Sequence, residues 1–183
     1  MHIRVLVGAL AAAFSGAVTA DSIDANLNKH SIQAIYATKL SAADLNFGFL
    51  NNSDRNDWVA SAGLLVFGDN RSAQTRTEIG LGGKAYVASV GNQHVYALGL
   101  GGQGRVFPNN GPIGIGGYAF YAPDVVTGGH GKQFWEAGAR VEFEMIKNTA
   151  SVYLGYRKVR TELDSGEHVT VDSGGHVGLQ INF

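Results

Sequence analysis

The end of the chain constrains its fold more than any other segment. Val177, Leu179, Ile181 and Phe183 alternate with His176, Gly178, Gln180 and Asn182. Successive side chains of a strand point to opposite sides of its sheet, so this period of two predicts a strand with one apolar and one polar face. A strand that stops on an aromatic residue has no turn of its own to make. It has to close against strands already in place.

Closure of that kind is expected of a transmembrane β-barrel, where a terminal strand ending on Phe is also the signal that assembly machinery reads. The apolar face then points at lipid rather than at a core. The other end agrees. Residues 1–20 read as a cleaved secretory signal peptide: His2 and Arg4 precede a run of apolar and small residues, and Val18 and Ala20 are the small residues before the cut. The run is too short to span a bilayer as a helix. Residues 21–183 are then a single outer-membrane domain. The chain has no cysteine, which excludes a disulfide framework and thiolate metal sites. Its net charge of −1 gives no electrostatic case for nucleic acid. Twenty-six glycines and three prolines suit long, tilted, uninterrupted ladders.

Period two recurs along the chain. In 134–146, Trp135, Ala137, Ala139, Val141, Phe143 and Met145 alternate with Glu136, Gly138, Arg140, Glu142 and Glu144. The next strand sets Ala150, Val152, Leu154 and Tyr156 against Ser151, Tyr153, Gly155 and Arg157. Further strands are expected over 31–39, 43–50, 57–67, 76–87, 95–105 and 113–121, and a short one over 22–28. The fold class is an all-β, antiparallel, up-and-down barrel. Ten strands is the preferred count, because it returns the mature N-terminus to the side of Phe183; eight is the alternative. The connections 51–56, 122–132 and 161–169 read as longer outer loops, as barrels of this class carry on one side.

Aromatic residues near strand ends suggest two interfacial girdles. Trp58 and Trp135 would mark one, and Phe67, Phe107, Phe143 and Phe183 the other. The opposite reading is a soluble cup with the apolar stripe inside.

Four segments carry a family resemblance: Gly80-Leu81-Gly82-Gly83-Lys84-Ala85-Tyr86, Tyr121-Ala122-Pro123, the block from Ala150 to Val159, and Gly178 to Phe183. Together they resemble the YfaZ family of small exported proteins of Gram-negative bacteria. The resemblance implies an outer-membrane barrel, described for the family as a porin, and brings no catalytic residues.

The polar face predicts a charged lumen of Arg76, Glu78, Lys84, Arg105, Glu136, Arg140, Glu142, Glu144 and Arg157. Ten strands lie close to the size at which side chains fill the cylinder, while inward glycines at 80, 82, 99, 101, 138, 155 and 178 argue for space. The function expected is a narrow, porin-like path for small polar solutes or ions. A closed structural or surface-recognition barrel is the alternative, and an outer-membrane enzyme a remote one. Gly99 to Gly104 fits a dinucleotide-binding pattern, but Arg105-Val106-Phe107-Pro108 continues a strand where a helix would be needed. His130 and His168 read as solvated loop residues, and His94 and His176 lie on different faces. No metal, cofactor or catalytic residue is expected. The partners are outer-membrane lipid and, through Val177, Leu179, Ile181 and Phe183, the barrel-assembly machinery.

Overall fold

The computed structural model describes residues 21–91 and 93–183; the expected leader, 1–20, lies outside the described residues. Eleven strands follow in order: β1 (Ser22–Leu27), β2 (Ser31–Lys39), β3 (Asp44–Asn52), β4 (Asp57–Arg71), β5 (Thr75–Val90), β6 (Gln93–Pro108), β7 (Ile113–Ala122), β8 (Thr127–Gly129), β9 (Gly131–Ile146), β10 (Ala150–Leu163) and β11 (His168–Asn182). β7 and β8 occupy one position in the wall. β7 pairs with β6 as far as Tyr121, and β8 takes up the same antiparallel pairing beyond it. Pro123 and a 3₁₀ turn at Asp124–Val126 interrupt the ladder between them, since proline has no N–H to donate.

Ten positions result, and they close. β1 pairs with β11 from Ser22↔Asn182 to Leu27↔Val177. Asp21 and Phe183 exchange two backbone hydrogen bonds of 2.8 Å beside that seam. Every pairing is antiparallel, and closure removes the lateral sheet edges that would invite association. Asp21 and Phe183 therefore sit at one end, here called the terminal end, with the turns 40–43, 72–74, 109–112 and 147–149. The opposite, loop end carries 28–30, 53–56, Gly91, 123–130 and 164–167. Long loops over 51–56 and 161–169 are not found. β3, β10 and β11 run on into these segments, because continued pairing satisfies backbone groups that a loop would leave to solvent. Only 123–130 is extended.

Side-chain parity holds through the middle of the wall and shifts only at bulges such as the one near Val171. Leu81, Leu98, Leu100, Ile115, Val141 and Leu154 all project outward and are exposed. The buried positions on the same strands are the alternate ones, among them Lys84, Tyr86, Glu136, Tyr153 and Arg157. The apolar stripe is on the outside, so the soluble-cup arrangement is excluded.

The inward glycines do not leave empty space. Gly178 lies opposite Tyr153 in the β10–β11 register, Gly138 opposite Tyr118 and Gly80 opposite Phe67. A Cβ at these three positions would fall 2.2 to 2.7 Å from the facing ring. The missing side chain is the seat for an aromatic ring from the neighbouring strand, a cross-strand pair in which one partner supplies all the bulk. Gly82 and Gly101 face each other and answer a different need. Their added Cβ atoms would lie 2.0 Å from the carbonyl oxygens of Leu64 and Ala119, so the backbones approach too closely for any side chain.

Gly101→Ala is expected to destabilise the barrel by about 1–3 kcal/mol, the usual cost of overpacking. Gly68, with nothing within 4 Å of its added Cβ, should accept alanine with little change. Urea titration of the two refolded variants in micelles checks this; equal stabilities would contradict the close-approach account.

Candidate functional site

The barrel interior gathers the chain's buried charge. All nine lumen candidates lie on inward positions, and each is in an ion pair. Arg76 Nη2 meets Glu144 Oε1 at 2.6 Å, Lys84 Nζ meets Glu136 Oε1 at 2.7 Å, and Arg105 Nε meets Glu78 Oε2 at 2.6 Å. Arg140 contacts Asp24 at 2.9 Å and Glu142 at 3.3 Å, and Arg157 contacts Asp172 at 2.7 Å. The Arg76 and Lys84 pairs run from β5 to β9, which are not neighbours in the wall. They are struts across the lumen.

Each strut is braced. The Tyr86 hydroxyl donates to the same Glu136 oxygen at 3.0 Å. The Lys84 ammonium stands 4.7 Å from the Phe120 ring centroid and 5.9 Å from those of Tyr86 and Tyr118, where cation–π attraction replaces part of its lost hydration. The Arg76 guanidinium lies 3.9 Å over the Phe107 ring and donates to Asn148 Oδ1 at 3.2 Å.

The densest polar network spans the closing seam. Arg157 is fully buried. Its Nε donates to Asp172 Oδ2 at 2.7 Å on β11, its Nη1 to Asn26 Oδ1 at 2.6 Å on β1 and also to Gln33 Oε1, and its Nη2 to Ser31 Oγ at 3.1 Å on β2. Asn28 donates to Asp172 from the β1–β2 turn at 3.1 Å. Nearer the terminal end, Asp24 of β1 accepts from Arg140 at 2.9 Å and from the Tyr153 hydroxyl. Arg140 also donates to Gln180 Oε1 at 2.9 Å on β11. Buried charge survives only with such partners, because desolvation costs several kcal/mol per ion.

Above this polar layer, toward the loop end, apolar side chains fill most of the lumen, with Asn52, Asp57 and Thr161 buried at its margin. Leu50, Val59, Val90, Val95, Phe134 and Val171 are all at most 5 % exposed and belong to one packed cluster. At the terminal end the interior is more open. Gln103 is exposed, and the side chains of Arg105 and Glu78 keep 26 % and 18 % of their surface.

Not every aromatic expected in the two girdles lies on the outer surface. Trp58, Trp135, Phe143 and Phe183 are on the outer surface, with Trp58 stacked on Phe49 at 6.2 Å. Phe107 instead is fully buried under Arg76, and Phe67 packs inward over Gly80. The parity of their strands settles this: Phe107 shares a face with Arg105, and Phe67 with Leu65. Asp24 and Asp172, absent from the sequence-derived set, complete the ion pairs. His176 is buried edge-on to Tyr153 at 5.8 Å, and His168 approaches Glu162 at 3.7 Å.

A family model described as YfaZ precursor matches residues 1–183, the full chain. No curated protein matches it.

Arg157→Ala would leave Asp172 buried beside an empty guanidinium site. The expected loss is about 3–5 kcal/mol, the usual result of removing one partner of a buried pair. Arg157→Met combined with Asp172→Leu should recover most of it. Unfolding midpoints of the two refolded variants test the pair, and a single variant as stable as the parent would contradict its role.

Proposed function

The chain belongs to the YfaZ family, and we propose that it is a β-barrel of the Gram-negative outer membrane whose lumen is shut at rest. The observation that carries this reading is the inverted polarity of the wall. Charge lies inside in pairs, while large aliphatic side chains such as Leu81, Leu100 and Leu154 are 65–72 % exposed outside. A continuous apolar surface of that extent is stable only against an apolar medium, and a closed barrel presents no free sheet edge to it. In this reading residues 1–20 are the cleaved leader, and the terminal end faces the periplasm. The strand bearing Val177, Leu179, Ile181 and Phe183 is the part that the assembly machinery engages. Lipid is the partner, and no catalytic role is included; the nine lumenal charges expected from the sequence are each held in an ion pair.

Passive, porin-like passage is the narrower claim. Two features oppose a standing pore: struts from β5 to β9, and the apolar layer at the loop end. Aromatic rings also cover several of the glycines that would otherwise widen the lumen. The open vestibule around Gln103, Arg105 and Glu78 favours a second reading, a narrow path for small polar solutes or ions whose opening requires the apolar layer to move.

Planar-bilayer recording separates the two. The refolded, heat-modifiable parent is expected to be silent. Phe134→Ala with Val95→Ala, which thins the apolar layer, is expected to produce discrete openings. Steady conductance of the parent would contradict the shut lumen.

A further inference from the structure

The outward face of the wall is almost free of charge. Its strand positions carry aliphatic, aromatic, small, hydroxyl or amide side chains, with the exceptions gathered toward the loop end: Lys158, Arg160 and Glu162 of β10, His168 of β11 and His94 of β6. Their outward direction is fixed by their neighbours: Arg157, Val159 and Thr161 are all buried inside. Lys158 and Arg160 lie two residues apart on one face, about 7 Å at the rise of a strand. Across the ladder they face Ala137 and Trp135 of β9.

Neither cation has a carboxylate partner among the described residues. The acid nearest in sequence on that face, Glu162, is turned to His168 at 3.7 Å. The Lys158 ammonium stands 5.8 Å from the Trp135 ring centroid. Arg160 Nε is shielded from solvent yet takes no acceptor. Two unneutralised like charges on a lipid-facing wall are disfavoured at every depth except near a headgroup layer. Directly beyond Trp135 and Ala137 runs a groove of about 400 Å³, lined also by Leu100, Ala119 and Tyr121.

The geometry points to a binding site for a phosphorylated glycolipid of the outer leaflet. Arg160 and Lys158 hold a headgroup phosphate, the guanidinium through its planar fork. Trp135 lies at the headgroup level, and the groove takes one acyl chain. This assignment rests on the outer-membrane reading, because it is that reading which places the loop end in the outer leaflet. The outer leaflet is also where glycolipid, rather than phospholipid, supplies the phosphate.

Native mass spectrometry of the refolded chain in detergent tests the site with three probes: diphosphoryl lipid A, its dephosphorylated form, and phosphatidylglycerol. The parent is expected to retain one diphosphoryl lipid A at least tenfold more tightly than either other lipid. Lys158→Gln with Arg160→Gln should lose that tenfold preference. Arg160→Lys, which keeps the charge without the fork, should lose part of it, and Lys147→Gln at the terminal end should lose none. Equal retention by parent and double variant would overturn the site, as would equal retention of phosphatidylglycerol by the parent. Heat-modifiability and vesicle insertion are read on the same samples. A parent that stays in the aqueous phase contradicts the membrane reading itself, whereas an inserted barrel without lipid preference removes the site alone.

Discussion

The Arg157 guanidinium holds together the part of the wall that has the least backbone pairing. β1 is six residues long, and it is the strand on which closure depends. Six residues of ladder on each side leave a seam that thermal opening could part. Arg157 spans it from within, reaching β11, β1 and β2 from β10. Asp24, Tyr153, Arg140 and Gln180 repeat the pattern one layer lower. The contacts of Arg157 to Asn26, Ser31 and Gln33, and of Arg140 and Tyr153 to Asp24, form only when β1 lies beside β11. These contacts therefore favour the closed cylinder, while the Arg157–Asp172 pair ties β10 to β11 with or without closure.

A polar interior has a consequence for packing. Apolar cores fill space with interlocking aliphatic groups, but a narrow charged lumen has to seat long side chains without voids. The chain does this by pairing residues of unequal size across strands. Tyr153 over Gly178, Tyr118 over Gly138 and Phe67 over Gly80 place rings flat along the wall. Those rings leave the centre to ion pairs such as Lys84–Glu136. Glycine content and lumenal charge are thus two sides of one solution, and both act against an open pore.

Much of this was legible in the sequence. Alternation in β9, β10 and β11 identifies the outward face, and returning residue 21 to the side of Phe183 favours ten positions. What escaped has physical causes. β1 is too short for its alternation to assign Asp24 to a face. The alternation read back from Phe183 puts Asp172 on the inward face and breaks only at Val171; Asp172 escapes because the run Ser173-Gly174-Gly175 beside it has no apolar member to mark a period. Phe107 shares its parity with Arg105 and is turned inward by it, whereas Phe67 ends the apolar run Leu64-Leu65-Val66-Phe67, in which alternation marks no face. An inward glycine reads as space because a sequence does not say which ring lies across the ladder; only the register does.

The most direct test of closure uses the absence of cysteine. Ala25 and Leu179 are opposite each other across the β1–β11 seam, on the outward face. Facing positions of an antiparallel pair bring Cβ atoms to about 4.5–5.5 Å, within reach of a disulfide. Ala25→Cys with Leu179→Cys should crosslink within one chain under mild oxidation, in the folded, heat-modifiable state. Cysteine at Val177 or Ile181 in place of Leu179 should crosslink much less. A chain that crosslinks only between molecules, or equally well at all three positions, would contradict a cylinder closed in this register.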